Sequence, residues 1–213
     1  MSKRNLIIGA AVVAVLAYGG LTATIIPEGT EAQLTGEKVF DPTANAQSFW
    51  QEQGPSYFEQ NAVDLAQLFN EAGGDLTTVA SKYGHYSMGD SGELSFIVKG
   101  TGTITTVKNK LRSGYLAFKP DGIDNNVSYR LQIGPVFKNA SVRDTISTLS
   151  FHDYKNQIEW AQVSVALHDL VLKEVIQPVD VANAEGKRVE YVGCYTVTRP
   201  SQVLITPVVL KIQ

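Results

Sequence analysis

From Leu94 onward, apolar and polar residues alternate in short β-branched runs, whereas between Ala44 and Ala72 apolar residues recur every third or fourth position. The first pattern is that of half-buried strands, the second that of helices with one packed face. Phe49 and Trp50, then Phe58, Ala62, Leu65 and Leu68, predict helices over Ala44–Gln53 and Ser56–Ala72. Gly54-Pro55 separates them and Gly73-Gly74 ends the second. Asp75 is placed to cap a short helix over Leu76–Tyr83, which Gly84 can stop in a left-handed conformation.

In the β part, Leu94–Val107 (LSFIVKGTGTITTV) reads as a strand with Gly100 and Gly102 set for a bend or bulge. Tyr115–Lys119 is a second strand, Asp121–Asn126 a turn and Val127–Ile133 a third strand. The stretch LQIGPVFKNASVRD (131–144) leaves that strand through Gly134-Pro135 and enters a helix at Ser141, with Asp144 as a capping-box partner. Arg143 and Asp144 are adjacent and do not face each other on a regular helix, so each is expected to find a different partner. A longer helix covers 156–176, with Ile158, Ala161, Val165, Leu172 and Val175 on its packed face and Pro178 beyond it. Arg188–Thr198 and Val203–Ile212 are the last two strands.

Three strands, a helical excursion and two strands is the order of an oligonucleotide/oligosaccharide-binding (OB) barrel, in which a helix between strands 3 and 4 plugs one end. The expected fold class is therefore α+β. It is an OB-like five-stranded β-barrel (91–213) with a helical excursion between strands 3 and 4, preceded by a mainly helical part (28–90) and an N-terminal membrane segment (1–27). Residues 28–40 read as a short linker and then a strand leading into the domain.

The N-terminal segment sets the compartment. Lys3 and Arg4 precede an uncharged run from Leu6 to Ile26, which as a helix spans roughly 30 Å, about one hydrocarbon core. The basic flank stays in the cytoplasm and Glu28 and Glu31 follow outside, so the globular part is expected to be exported. Two readings stand: an uncleaved anchor, supported by Leu21, Ile25 and Ile26, or a signal peptide with Leu6–Ala17 as its core and Ala17-Tyr18-Gly19 as its cleavage site. Residues 27–213 carry 16 Lys and Arg against 21 Asp and Glu, and this acidic balance argues against general nucleic-acid binding. Cys194, the one cysteine, cannot form an internal disulfide.

Few residues suggest chemistry. Gly89-Asp-Ser-Gly92 has the residues found around a serine-protease nucleophile, but its only upstream histidine is His85, so a polar turn is the better reading. Asp121, Asp124, Asn125 and Asn126 are oxygen-rich, yet in a loop starting at Asp124 the twelfth position, where a calcium loop needs glutamate, is Pro135. His85, His152 and His168 show no metal-ligand spacing, and Cys194 sits in a strand as a small apolar residue would. Asn126-Val-Ser128 and Asn139-Ala-Ser141 fit the glycosylation pattern. No catalytic residue, metal or cofactor is assigned. Lys138, Arg143, Asp144, Asn156 and Gln157 are the candidate ligand- or partner-binding residues, against the alternative of a buried polar network joining the excursion to the barrel. Trp160 and Tyr154 could offer the aromatic face on which a sugar packs.

The run LQIGPVFKNASVRDTISTLSFHDYKNQIEWAQVSVALH (131–168) resembles the signature region of a family of predicted periplasmic lipoproteins of unknown function. Their genes often stand beside those of sugar ABC transporters. The resemblance extends to FDP at Phe40–Pro42, KYG at Lys82–Gly84, FIVKGTGTI at Phe96–Ile104, GK at Gly186–Lys187 and ITPVVL at Ile205–Leu210. It implies an exported, membrane-tethered protein without established catalytic residues, with sugar ABC-transporter components as partners. One departure is plain: no cysteine follows the apolar segment, so lipid attachment by the usual lipobox is excluded here and the Leu6–Ile26 helix would have to supply the tether. The expected function is a non-enzymatic envelope protein, either an accessory to a sugar importer or a small-ligand or glycan-binding module.

Overall fold

The structure, a computed structural model, describes residues 40–213. The Leu6–Ile26 segment and the strand expected before Phe40 lie outside the described residues. Among those described, no helix is long and apolar enough to cross a membrane. Helix α1 (Pro42–Glu52) begins where Asp41 Oδ1 accepts the N–H groups of Thr43 and Ala44, at 2.9 and 3.0 Å, with Pro42 in the first turn. Helix α2 (Gly54–Asn61) starts at Gly54, whose φ of 31° few other residues adopt.

The single helix expected over Ser56–Ala72 is interrupted. Val63–Asp64 forms a two-residue strand β1, parallel to Val98–Lys99 of the barrel, and Asp64 then caps α3 (Leu65–Ala72) by accepting from Gln67 N–H at 3.0 Å. A tertiary strand pairing overrides local helical spacing here. Gly73, at φ 59°, ends α3, and Asp75 caps a 3₁₀ turn (Leu76–Val79) that runs into α4 (Ala80–Tyr83). Gly84 does not end α4 in a left-handed conformation: its φ is −87° and it opens strand β2 (Gly84–Tyr86). Glycine is needed there for space, since a Cβ would stand 2.6 Å from Leu94 Cδ1 and 2.7 Å from the Ala80 carbonyl.

Five strands close the barrel: β3 (Leu94–Lys108), β4 (Ser113–Pro120), β5 (Ser128–Pro135), β6 (Arg188–Thr196) and β7 (Gln202–Ile212). The order is β3-β4-β5-β7-β6, with β6 returning to β3. Only β5–β7 is parallel among these pairs, over Ser128–Leu131 against Gln202–Ile205. This is the OB order that the strand spacing predicts. β3 serves two neighbours: Ser95–Thr103 pairs with β6 and Gly102–Lys108 with β4. The register slips at Thr105, not at the two glycines. Gly102 is there because a Cβ would press on the Lys119 carbonyl at 2.5 Å.

Phe96, Ile104, Leu116, Phe118, Leu131, Tyr191, Tyr195 and Ile205 are fully or almost fully buried. Phe96 stacks on Tyr195 at 5.8 Å and Phe118 meets Tyr191 edge-on at 5.2 Å. Each such side chain contributes about 1.5–3 kcal/mol by leaving water.

The excursion begins at Gly134 (φ 63°) and cis Pro135. A Cβ on Gly134 would lie 3.0 Å from the ring of Phe137, which folds back over it. Gln132 fastens the loop: its Nε2 donates to the Lys138 carbonyl and to Thr206 Oγ1 (3.1 and 2.7 Å), and its Oε1 accepts from Lys138 N–H at 2.7 Å. Helix α5 (Ser141–Asp144) is a single turn, and the capping box expected at its start is absent. Ser141 Oγ instead donates to the Cys194 carbonyl at 3.2 Å, and Thr145 Oγ1 lies 3.2 Å from Cys194 Sγ, which seats α5 against β6. The capping box lies further on, at Ser150 and Asp153, before α6 (Gln157–Leu170). α6 continues as a π-helical turn, Val171–Ile176.

α6 packs through Trp160, Val163, Leu167 and Val171. Ile158 and Val165, expected on that face, are 69% and 59% exposed. Apolar residues lie on both sides of this helix, and the bulk of Trp160 with the Arg143 side chain beneath it decides which side turns inward. Trp50 Nε1, on α1, donates to Glu174 Oε2 in the π-helical turn at 2.7 Å. Phe49, Tyr57 and Phe58 form an edge-on aromatic cluster, and the Tyr57 hydroxyl donates to the Thr145 carbonyl while accepting from Ser147 N–H, both at 2.9 Å.

His168, on α6, stacks on Phe137 at 5.0 Å, and its Nε2 is buried without a partner among the described residues. Burial, and then the charge of Arg143, hold its imidazole down to about 4 from its ordinary 6.5. The unfolded chain therefore takes up a proton near pH 6.5 that the fold refuses until about pH 4. Stability is fully present above pH 6.5 and falls as the pH drops. We expect a loss of about 2–3 kcal/mol between pH 7 and 4.5 from this group. In urea unfolding at the two pH values, His168→Phe should lose that much less than the wild type, and equal losses would refute the assignment.

Candidate functional site

A cleft of about 490 Å³ opens between β2 with its following turn and the segment that joins α5 to α6. His85, Tyr86 and Ser87 form one wall, Ile146, Ser150 and Phe151 the other, and Asp144 and Trp160 also line it. Asp144 is only 8% exposed, yet its Oδ2 has no hydrogen-bond partner among the described residues. Its other oxygen is fully engaged. Arg143 Nε and Nη2 donate to Oδ1 at 2.8 and 2.6 Å, and Nη1 donates to the Trp160 carbonyl at 3.0 Å. The guanidinium also lies over the Trp160 ring, 4.1 Å from its centroid.

The expectation that Arg143 and Asp144 find different partners is thus overturned. The rule that neighbours diverge holds for a continuing helix, and α5 ends at Asp144, so nothing keeps the two side chains on separate faces. Burial then favours pairing, because a lone charge here would be costly. Burial pushes the Asp144 carboxyl above its ordinary range, and Arg143 opposes that shift. The site therefore holds one buried carboxylate oxygen unpaired among the described residues, in a residue that lines a cleft with Tyr86, Phe151 and Trp160. Trp160 meets Phe151 edge-on at 6.3 Å and Tyr154 at 4.9 Å.

The five residues singled out from the sequence do not converge. Asp144 lines the cleft, and Arg143 sits behind it against Trp160. Asn156 caps α6, its Oδ1 accepting from the N–H groups of Ile158 and Glu159. Gln157 is exposed in the first turn of that helix, and Lys138 is exposed in the loop after β5. Tyr86, Ser87 and Phe151 were not among them.

Other groups are occupied. Asp121 is held by Arg188 and by Thr101, and these hydrogen bonds keep its carboxyl down at about 2. Asn125 Oδ1 accepts from Val127 N–H and the Tyr129 hydroxyl, so the oxygen-rich turn satisfies its own chain. Among the described residues no group of His, Cys, Asp and Glu is arranged to hold a metal ion. Burial pushes the Cys194 thiol up to about 12, far from a reactive thiolate. Gly89-Asp-Ser-Gly92 is an exposed turn between β2 and β3.

The Arg143–Asp144 pair makes a measurable statement about stability. Removing one partner strands a buried charge, at about 3–5 kcal/mol, whereas replacing both by apolar residues is far milder. Arg143→Met should cost about that much in urea unfolding and Arg143→Met with Asp144→Leu much less; a single substitution under about 1 kcal/mol would show the pair to be incidental.

A family model described as predicted periplasmic lipoprotein (DUF2291) matches residues 11–211. The family is thus described by location and not by activity. Among solved structures, the chain is similar to an OB-fold protein from Thermotoga maritima. The similarity covers 83% of this chain and 100% of that one, at 18% identity and a TM-score of 0.63. At that identity the likeness speaks for the fold alone. No curated protein matches the chain.

Proposed function

The chain belongs to the predicted periplasmic lipoprotein family, and from that premise we propose a non-enzymatic, membrane-tethered envelope protein that binds a small polyhydroxylated ligand in the Asp144 cleft as an accessory to a sugar ABC importer. Residues 6–26 act as the tether, with the N-terminus in the cytoplasm and the domain outside; cleavage behind Ala17-Tyr18-Gly19 would instead release it to the periplasm.

One observation carries the ligand: an unpartnered carboxylate oxygen, buried, in a cleft also lined by Tyr86, Phe151 and Trp160. Sugars are gripped by such a combination, hydroxyls donating to a fixed acceptor while C–H faces rest on aromatic rings. The reading without catalysis is supported by the state of the groups that chemistry would use. Asp144 is tied to Arg143, and Cys194 and His168 are buried in packing roles. The importer is suggested by the family's gene context alone.

Trp160 is a built-in reporter. With Trp50→Phe it is the one remaining indole of the two, and its emission should respond to a monosaccharide or disaccharide entering the cleft. Phe151→Ala should weaken the response at least about tenfold, since a cleft aromatic is worth more than 1 kcal/mol. A flat signal over a broad sugar panel would refute the ligand. In-cell crosslinking of the full chain should capture a sugar permease or its binding protein, and a preparation free of both would refute the accessory role.

A further inference from the structure

Charge is distributed very unevenly over this acidic domain. Residues 105–143 hold seven Lys and Arg against two Asp, within a 27–213 total of 16 against 21. Four of the seven cluster at one end of the barrel. Lys108, Lys110 and Arg112 lie in and beside the β3–β4 turn, and Lys138 follows β5. Ser113 pairs with Pro135, and Val136 N–H donates to the Arg112 carbonyl at 2.8 Å, so the two segments form one tip. Among the described residues no ion pair engages any of these four cations.

The same tip carries Leu111, 51% exposed, and Val136, 41% exposed. Two branched apolar side chains held out into water on a tip with four cations are unfavourable for a surface that meets only solvent. From this juxtaposition we infer that the tip formed by residues 108–112 and 135–138 docks on an anionic phospholipid surface, Leu111 and Val136 entering the headgroup boundary while Lys108, Lys110, Arg112 and Lys138 pair with lipid phosphates. Basic residues at a membrane surface and apolar residues at its boundary act in this combined way. Nucleic acid would use the cations but offers nothing to the two apolar chains, and it is repelled by the acidic remainder of the domain. The residues of this tip are not those that line the Asp144 cleft.

The test uses the full chain with Leu111→Cys carrying an environment-sensitive dye; Cys194 is buried and does not compete for the label. On vesicles of phosphatidylglycerol mixed with phosphatidylcholine the dye emission should shift to the blue and be quenched by brominated lipid. On phosphatidylcholine alone, where any N-terminal tether still operates, the shift should be absent. Reversing three charges (Lys108→Glu, Lys110→Glu and Arg112→Glu) should weaken the effect at least about tenfold. A dye at Ser91→Cys, in the exposed turn that precedes β3 and not at its far end, should report nothing on either vesicle. The inference is overturned by equal shifts on the two vesicle types or by no shift on the anionic one. It is also overturned by a response to polyglutamate as strong as that to the lipid, which would assign the tip to an acidic protein.

Discussion

A five-stranded sheet closes into a barrel only if its two end strands pair with each other, and in this protein β3 meets that condition by pairing with β6 as well as with β4. Its fifteen residues give one half to β6 and the other to β4. The edge left by the divergence is taken up by β1 and β2, so even the helical part is anchored to this strand through backbone hydrogen bonds. Two of the crowded glycines follow from this: Gly102 of β3 meets the Lys119 carbonyl of β4, and Gly84 of β2 is caught between the Leu94 side chain of β3 and the Ala80 carbonyl.

Once β3 is fixed, the excursion has to settle against the barrel using polar groups. Ser141 and Thr145 contact Cys194 on β6, Gln132 spans to Lys138 and Thr206, and Tyr57 reaches from the helical part to Thr145 and Ser147. Arg143 and Asp144 occupy the centre of this junction. Their mutual hydrogen bonds make burial tolerable, and the Trp160 ring and carbonyl complete the shell around the guanidinium. The cleft is a by-product of this junction: it remains where the wall from β2 and the wall from the excursion fail to touch.

The strand order was legible because strands announce themselves through β-branched runs bounded by Gly, Pro, Asp and Asn, and because three strands, helix, two strands leaves few closed arrangements. Three other features were not. The interruption at Val63–Asp64 depends on an open edge of β3 at Val98–Lys99, 35 residues further along the chain, which local spacing cannot register. The packed side of α6 was ambiguous, with apolar residues at Ile158, Ala161 and Val165 competing against Trp160, Val163 and Leu167. The pairing of Arg143 with Asp144 was concealed by the assumption that α5 continues, whereas it stops after one turn. In the site, Asp144 and the Trp160 ring were found and the wall from β2 was not, because Tyr86 precedes the whole barrel in sequence and lines the same cleft only in the fold.

The parallel seam between β5 and β7 has a consequence for how the molecule breathes. It holds over four residue pairs, while the antiparallel seam of β3 with β6 holds over nine. Beyond Leu131 and Ile205 the two strands part, and the Gln132 side chain, bonded to Thr206 and to the Lys138 backbone, takes over where the ladder stops. A ring of strands opens first at its shortest seam, so amide protons of Ser128–Leu131 and Gln202–Ile205 should be the earliest of the barrel to exchange with solvent. A single glutamine amide then acts as the latch on the barrel, and the excursion, fastened to the same glutamine, would loosen in concert with that seam.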